Sequence, residues 1–473
     1  MVAIFLALIL ICISLYSFVK CQYFYWFIMM FTVLPNYFAI EISDNIPLIT
    51  ANRILILFLV IYSFVNRNKI KPQNFKFRKI HIFLIIYFGL RLISNAYYIF
   101  QLSSSIKNIL EILIEELLII IIFEIVPYGR KEIDLFIKCL VHTASLIFIL
   151  AIIETYSGVS LGDFLYTVQR SLPHEHYIRL GLLRATVTFG MPGVLAVYCI
   201  MMVPFIMYLY ERTSKWWYLI AMFLDFLCIL YANSRADIII LFVVLVICVS
   251  MKPKNIRKDY LRIFGIQIVI FLAIVIISCV VSSSLRYFYL GTAKSVLNEV
   301  GFDFDLNEGA PEGVEGYGTN IEGTYSRTAQ FSGIYYAAKK NFLFGLGAEA
   351  QNRGEVYYYY NGAWRQSNTY DVAYVAVFMD EGILGLTAYF ILFIGLFYTG
   401  IKIIKTENGT VSLGKTMLQA FIAYLLCMFA TNNEFRLLWA ILVIFLLLDK
   451  DSSNNKDMSI GNGVGYEKGI LGR

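Results

Sequence analysis

Four arginines are the residues of this sequence best suited to chemistry: Arg184, Arg235, Arg327 and Arg436. Each stands at or near the edge of an apolar segment, or in the one large polar insert, and the topology derived below places all four on one side of a membrane. Charge near a bilayer is costly, so a one-sided group of arginines needs a ligand or a partner. Guanidinium groups bind phosphate oxygens in pairs, and a lipid-linked diphosphate would present such oxygens at headgroup level.

Two of these arginines lie at the predicted entrances of apolar helices. Arg235 follows Ser234 and precedes Asp237, which gives a polar cluster at one depth. An arginine that only snorkels to the membrane interface is the alternative. Arg184 precedes Pro192, and the glycines beside that proline predict a bent or broken helix. The end of such a helix exposes backbone N–H groups that can bind anions, although a simple kink would carry the same residues.

The other two arginines have simpler alternatives. Arg327 stands in the insert, at the start of a segment from Thr324 to Lys340 that has helical spacing. The alternative is that Arg327 only forms a surface salt bridge. Arg436 follows Glu434 closely and could simply pair with that carboxylate.

Composition shows which elements must position these side chains. Of the 473 residues, 59% are hydrophobic and only 15% are charged, and apolar runs recur along nearly the whole chain. A membrane-spanning helix needs about 20 apolar residues. The sequence therefore predicts an all-α, polytopic bundle of about 12–14 membrane spans with one large extracytoplasmic loop domain. The predicted spans lie near 2–19, 23–40, 48–65, 80–99, 106–126, 134–155, 187–210, 216–232, 236–251, 261–282, 372–401, 414–431 and 434–449.

The basic residues orient these spans. They cluster in short loops near 67–79, 130–138, 252–262 and 402–415, and with thirteen spans all of these loops fall on one side. Basic loops mark the cytoplasmic side, so the segments 156–186 and 283–371 face outward. The predicted division is a transmembrane bundle at 1–282, an extracytoplasmic loop domain with short helices at 283–371, C-terminal transmembrane helices at 372–450 and a disordered cytoplasmic tail at 451–473.

Several other classes of site find no support in the sequence. It contains no phosphate-binding glycine loop, no dinucleotide fingerprint, no paired-histidine zinc motif and no nucleophile elbow. The eight cysteines lie in or beside apolar runs without a CxxC pair, so we interpret them as buried side chains. Arg91 and Glu124 are charges within spans, and we expect them to pair with polar groups inside the bundle.

The order of four short motifs resembles the O-antigen ligase/polymerase superfamily, whose integral membrane enzymes polymerise or transfer lipid-linked bacterial polysaccharide. The family pattern has an arginine before a proline that opens a span, a Ser-Arg-small triplet, an arginine ahead of Gly-x-Gly, and a His-Asn pair before a helix that ends in Glu-Gly-x-x-Gly-Leu. The corresponding residues here are Arg184 to Pro192, Ser234-Arg235-Ala236, Arg327 with Gly345-Leu-Gly347, and Ser367-Asn368 with Glu381-Gly-Ile-Leu-Gly-Leu386. The resemblance covers roughly residues 180–445.

The resemblance implies a Wzy-type polymerase that joins undecaprenyl-diphosphate-linked oligosaccharides on the outer face of the bacterial inner membrane. Inverting glycosyl transfer would release undecaprenyl diphosphate, and arginines would stabilise the charge on that leaving group. No nucleotide and no metal is expected, because the diphosphate already activates the donor. The expected partners are the lipid-linked oligosaccharide, membrane lipid and a chain-length regulator, without nucleic acid. The residues that we assign are Arg235, Arg327, Asp371 and Glu381 for catalysis, and Arg184, Arg436, Ser234, Ser367, Asn368 and Tyr370 for substrate binding.

One departure from the family pattern matters. The ligases have a histidine where this chain has Ser367, and serine is no base near neutral pH without an activating partner. This departure favours the polymerase and leaves the base open between Asp371 and Glu381. Asp371 lies one helical turn beyond Ser367, so we expect both to face one cleft. A ligase that transfers polymer to a lipid A-core acceptor and a flippase that moves lipid-linked sugars without chemistry remain as alternatives.

Overall fold

The computed structural model describes residues 1–42, 47–70, 76–126, 128–169, 176–299, 301–311, 327–367, 370–407, 411–431 and 435–461. Helical segments coincide with all thirteen predicted spans. They are α1 (Val2–Val19), α2 (Tyr23–Val33), α3 (Ala51–Val65), α5 (Lys79–Tyr97), α6 with α7 (Ser103–Glu111 and Leu118–Ile125), α8 (Arg130–Ser157), α9 (Pro192–Thr213), α10 (Trp217–Ala232), α11 (Arg235–Ser250), α12 (Lys254–Val281), α16 (Ala373–Thr406), α17 (Leu413–Cys427) and α18 (Phe435–Gly461). The short helix α4 (Arg67–Ile70) follows α3.

Six of these helices, α1, α5, α8, α9, α12 and α16, are long and apolar enough to cross a membrane. Four shorter apolar helices, α2, α3, α10 and α17, accompany them. Helices predominate because a lipid environment offers no partner for unpaired backbone groups. The chain is therefore a polytopic helical membrane protein, as its composition predicts.

The helices differ sharply in how much of their surface the bundle covers. In α9, 89% of the residues in its most apolar stretch are buried inside the bundle, and this helix packs against α10 and α17 at the centre. In α12, no residue of the corresponding apolar stretch is buried, although this stretch has the highest mean hydropathy of the six. Helix α12 is therefore a peripheral helix whose apolar surface is available to lipid.

One predicted span is interrupted. Between α6 and α7 the chain forms a π-helix, Ile112–Leu117, which carries Glu115 and Glu116. Glu115 accepts a hydrogen bond from Arg53 on α3, and Glu116 pairs with Arg91 on α5. A π-helical turn often marks a position where polar side chains are redirected toward a specific site.

The basic loops meet at one end of the bundle, which we call the basic end. Ion pairs join the loops there: Arg78 with Glu124 and Asp449, Lys402 with Asp449, Arg130 with Glu407, Arg212 with Asp134, and Lys252 with Glu211. The pairing of Glu124 and of Arg91 with polar groups inside the bundle is confirmed. The positive-inside rule predicts that the basic end faces the cytoplasm.

The described part of the insert, at the opposite end, contains three helices and one hairpin. Its helices are α13 (Ser283–Glu299), α14 (Arg327–Gln330) and α15 (Ser332–Asn341). Strands β5 (Tyr357–Tyr360) and β6 (Ala363–Gln366) pair antiparallel, with Tyr358 opposite Arg365. Two more hairpins are formed by β1 (Ala39–Ile40) with β2 (Ile49–Thr50), and by β3 (Ile178–Arg179) with β4 (Leu182–Leu183).

Several boundaries differ from those that the sequence predicts. Helix α2 ends at Val33, because Leu34 adopts an extended conformation before Pro35. Helix α9 begins at Pro192 rather than bending there, since proline is well suited to the first helical position. Helix α18 continues to Gly461, beyond the predicted end of its span, and residues 462–473 of the predicted tail lie outside the described part.

Candidate functional site

Arg184 is positioned at the junction of α10 and α11, at the end of the bundle opposite the basic end. Its Nε donates to the backbone oxygen of Ala232, the last residue of α10, at 2.9 Å. Arg179 on β3 donates in the same way to the carbonyl of Asn233, at 2.7 Å. The hairpin β3–β4 therefore places two guanidinium groups against the C-terminal carbonyls of α10, where the helix dipole favours cations.

The turn between α10 and α11 brings Arg235 beside these groups. Asn233 adopts a left-handed conformation with φ 48°, which ends α10 and allows α11 to begin at Arg235. Ser234 is the N-cap residue of α11, and its hydroxyl donates to the carboxylate of Asp237. Both Ser234 and Asp237 are buried, whereas Arg235 is half-buried. The polar cluster that the sequence predicts around Arg235 is thus a hydrogen-bonded helix start.

A buried carboxylate of α8 fixes the chain that follows Arg184. Glu154 is fully buried and accepts the backbone N–H groups of Thr186 at 2.8 Å and Val187 at 2.6 Å. It also accepts the N–H of Leu161 at 3.0 Å. Val187 has φ 50°, a conformation that a β-branched residue rarely adopts, so the two hydrogen bonds hold a strained backbone in place. Sequence reasoning missed Glu154, although an acidic residue near the end of an apolar run is itself a sign of such a role.

A second group of candidate residues surrounds the start of α16. The side-chain oxygen of Gln330 on α14 accepts the backbone N–H groups of Asp371 at 3.0 Å and Val372 at 3.2 Å. Gln330 is buried, whereas the side chain of Asp371 is exposed. Because α14 begins at Arg327, these contacts hold the segment of Asp371 against the helix that carries this arginine.

The residues before Asp371 are held by the hairpin β5–β6. The hydroxyl of Tyr370 donates to the carbonyl of Tyr357 at 3.0 Å, and burial raises the pKa of this phenol. The N–H of Ser367 donates to the carbonyl of Val356 at 2.9 Å. These residues belong to loops and strand ends, and α16 begins only at Ala373. The expected helical turn from Ser367 to Asp371 includes residues 368 and 369, which lie outside the described part, whereas Ser367 and Tyr370 themselves contact the hairpin and Asp371 contacts Gln330.

The two groups are connected through the end of α17. The N–H of Ala373 donates to the carbonyl of Met428 at 3.0 Å, just after α17 ends. Three residues later, the hydroxyl of Thr431 donates to Asp237 at 3.3 Å. The starts of α11 and α16 thus meet the end of α17 on one face of the bundle.

Glu381 has a different environment from Asp371. It is buried, and Arg91 on α5 contacts both of its carboxylate oxygens at 2.9–3.1 Å. Arg91 also donates to Glu116 at 2.7 Å, and Asn95 donates to Glu381 at 3.3 Å. Eight residues separate Glu381 from the start of α16, which is about 12 Å along a helix. The two candidate bases therefore occupy separate places.

A backbone crossing at Gly382 joins the insert to α16. Gly382 has φ 64° and ψ −158°, and a Cβ atom there would strike the carbonyl oxygen of Leu343. The N–H of Ile383 donates to the carbonyl of Phe342 at 3.0 Å. The N–H of Leu346 donates to the carbonyl of Met379 at 2.7 Å. Backbone groups released by the kink of α16 are thus paired with the chain that follows α15.

The remaining predicted residues are located by their backbone alone or not at all. Arg327 and Arg436 belong to α14 and α18, but their side chains are outside the described part. Asn368 lies outside the described residues altogether. The described part of the structure therefore brings Arg184 together with Ser234 and Arg235, and it links this group through α17 to Asp371.

Residues 220–390 match the protein-family model described as O-antigen ligase. This range includes most of α10, all of α11 and α12, the insert and the first half of α16, and it contains both candidate bases. It excludes Arg184 and Arg436, so it is narrower than the resemblance drawn from the motifs. No curated protein matches the chain. The family match points to a function of the O-antigen ligase/polymerase type, which acts on lipid-linked sugars in a membrane.

Proposed function

We propose that this chain, a member of the O-antigen ligase/polymerase superfamily, polymerises undecaprenyl-diphosphate-linked oligosaccharide repeat units into a bacterial surface polysaccharide. In this proposal the reaction takes place on the outer face of the inner membrane, at the end of the bundle opposite the basic loops. The observation that carries the proposal is the placement of Arg184 and Arg235 together at the junction of α10 and α11, at that end.

The proposed reaction is an inverting glycosyl transfer. A hydroxyl oxygen of one lipid-linked repeat unit attacks the anomeric carbon of the reducing-end sugar on another chain. A new carbon–oxygen bond forms while the bond from that carbon to the diphosphate breaks, and the diphosphate keeps the electron pair. The hydroxyl proton passes to a base, so atoms and charge balance without a further reactant.

The arginines act on the leaving group in this proposal. Negative charge grows on the diphosphate as its bond to the sugar breaks, and preorganised donors lower the barrier most where charge develops. The arrangement of Arg184 and Arg235 supports this role, because both stand at helix ends at one depth. Arg327 is the third arginine in the proposal, and Gln330 on the same short helix contacts the backbone of Asp371.

Asp371 is the general base in this proposal. Its carboxylate is exposed, so an acceptor hydroxyl can reach it, and its backbone is fixed by Gln330. Glu381 is already bonded to Arg91 through both oxygens, so a substrate hydroxyl would have to compete with a buried guanidinium. We therefore propose that Glu381 acts as a positioning residue for α16.

The ligase is the second candidate function, and the description of the matching family model favours it. A ligase would use the same donor and the same arginines, but its acceptor would be lipid A-core rather than another repeat unit. The presence of Ser367 in place of the histidine of the ligases counts against this candidate.

Deletion of the gene in its host tests these candidates, with the wild-type gene returned as the control and surface polysaccharide separated on a gel. The polymerase predicts that the ladder disappears while single repeat units remain attached to their carrier or core. Full-length polymer that accumulates on undecaprenyl diphosphate would establish the ligase and reject the polymerase. Single units trapped on the cytoplasmic side would reject both and indicate a flippase.

A further inference from the structure

A large apolar groove lies between α10, α11 and α12, on the side of the bundle where α12 is not covered. Its volume is about 630 Å³, within the range of pockets that hold small ligands. Most of its wall is aliphatic or aromatic, as with Leu245, Val246 and Phe271. A volume of this kind at the bundle surface is suited to a hydrocarbon chain.

The groove belongs to the basic half of the bundle. On α11 it is lined by residues from Leu241 to Ser250, the half nearer to the basic end. On α12 it is lined from Arg257 to Leu272, two residues that lie about 22 Å apart along the helix. One leaflet of the hydrocarbon core is about 15 Å thick, so the groove is long enough for a complete acyl chain. Arg235 stands at the other end of α11, which separates this groove from the candidate functional site.

Arg257 lines one end of the groove, which we call its mouth, and this end adjoins the basic first turns of α12. Lys254, Arg257, Lys258 and Arg262 stand on the first turns of α12, with Asp259 as the one acidic residue of this stretch. Lys254 and Lys258 are exposed. Lys252 is already paired with Glu211 at 2.8 Å. Between residues 254 and 262, basic side chains therefore outnumber acidic ones by four to one.

Arg257 connects the basic mouth to the apolar wall. Its Nη2 donates to the backbone oxygens of Ser250 at 2.8 Å and Lys252 at 3.2 Å, and its side chain lines the groove. Its Nε is buried and has no hydrogen-bond partner among the described residues. A buried guanidinium N–H without an acceptor is costly, and a phosphate oxygen would satisfy it.

We propose that this groove binds an anionic phospholipid of the bilayer leaflet at the basic end, with one acyl chain along α12 and the phosphate at Arg257. Basic pockets between membrane helices bind anionic headgroups in this way. A helix from a second copy would fill the apolar wall but would leave the basic mouth uncompensated. The polyprenyl chain of the proposed substrate has its diphosphate at the opposite end of the bundle. The inference does not rest on the proposed function.

The test is native mass spectrometry of the full chain in detergent, titrated separately with phosphatidylglycerol and phosphatidylcholine. We expect phosphatidylglycerol to bind more tightly. Arg257→Gln should weaken its binding about fivefold, the effect of about one basic residue near a membrane surface. Val246→Trp should weaken it about tenfold or more, because the ring would occupy space that several methylene groups need. Val246 is 68% exposed, so the larger side chain does not disturb the core.

Two matched controls isolate the groove. Val243→Trp adds the same ring to a lipid-exposed position of α11 that does not line the groove. Arg67→Gln removes an exposed positive charge from α4, near another loop of the basic end. Both should bind phosphatidylglycerol as the wild type does. Equal binding by all variants, or equal binding of both lipids, would overturn the proposal. Co-purified polyprenyl diphosphate that only Val246→Trp displaces would assign the groove to the substrate instead. A dimer that Val246→Trp dissociates without loss of lipid would assign it to a second copy.

Discussion

Substitution of Glu381 separates a catalytic role from a positioning role. Glu381→Ala removes both oxygens that contact Arg91, so that Glu116 is the one carboxylate left to the buried guanidinium among the residues that the structure describes. Breaking a buried ion pair from one side costs about 3–5 kcal/mol. Glu381→Gln keeps an acceptor for Arg91 and leaves the pair of Arg91 and Glu116 intact, so its cost should be about 1–2 kcal/mol. We therefore expect the alanine variant to be lost from the membrane and the glutamine variant to persist.

The comparison variant is Asp371→Asn. Its side chain is exposed, so the change should alter stability by less than about 0.5 kcal/mol. Loss of a general base lowers the rate by about 10²–10⁴-fold, so polymer should be absent although the protein is present. Each variant is returned to the deletion strain, and the polysaccharide ladder is compared with the amount of protein in the membrane. A normal ladder from Asp371→Asn, together with no ladder from stable Glu381→Gln, would show that the roles of the two carboxylates are reversed.

Substitutions at three further residues, Arg235, Gly382 and Gln330, test other parts of the site. Arg235→Lys keeps the charge but loses the guanidinium fork, so polymer should fall about 10²–10³-fold at unchanged protein level; a ladder of normal length would reject its role. Gly382→Ala should destabilise the purified protein by about 3 kcal/mol or more in thermal unfolding, because of its backbone angles and the carbonyl of Leu343. Gly89→Ala on α5, where a Cβ meets nothing within 4 Å, should instead stabilise it by about 0.5–1 kcal/mol. Gln330→Ala should lower the amount of polymer about 100-fold, because it releases the backbone of Asp371. Gln330→Glu keeps an acceptor for that backbone and should retain most of the polymer. Equal ladders from the two Gln330 variants would contradict this role.

The periodicity and charge of the sequence predict the bundle well, because membrane helices depend mainly on local composition. Every predicted span coincides with a helical segment, and the predicted basic loops meet through ion pairs such as Arg78 with Asp449. The grouping of Arg184 with Arg235 also follows from the predicted topology, since both stand at helix ends on one side. What the sequence does not contain is the exact point where each helix starts, which depends on turns such as that at Asn233.

The residues that sequence reasoning missed act over long separations in the chain. Glu154 binds a loop more than 30 residues away, and Gln330 binds the backbone of Asp371 at a separation of 41. Such side-chain contacts with backbone leave no periodic pattern, because their partners can be of any residue type. The role of Glu381 was open for the same reason, since its partner Arg91 lies 290 residues away.

Helix α16 unites the features on which the candidate site depends. Its start is tied to the end of α17 by the bond between Ala373 and Met428, and its middle carries Glu381 against Arg91. Between these points it contacts the insert through Met379, and at Gly382 it crosses the chain that follows α15. Movement of this one helix would therefore shift the insert relative to the bundle. A buried ion pair within a membrane resists such movement more strongly than apolar contacts, because separating its charges exposes them to hydrocarbon. The network around Arg91 is thus well placed to keep Asp371 in register with Arg235 at the start of α11, although it touches neither of them.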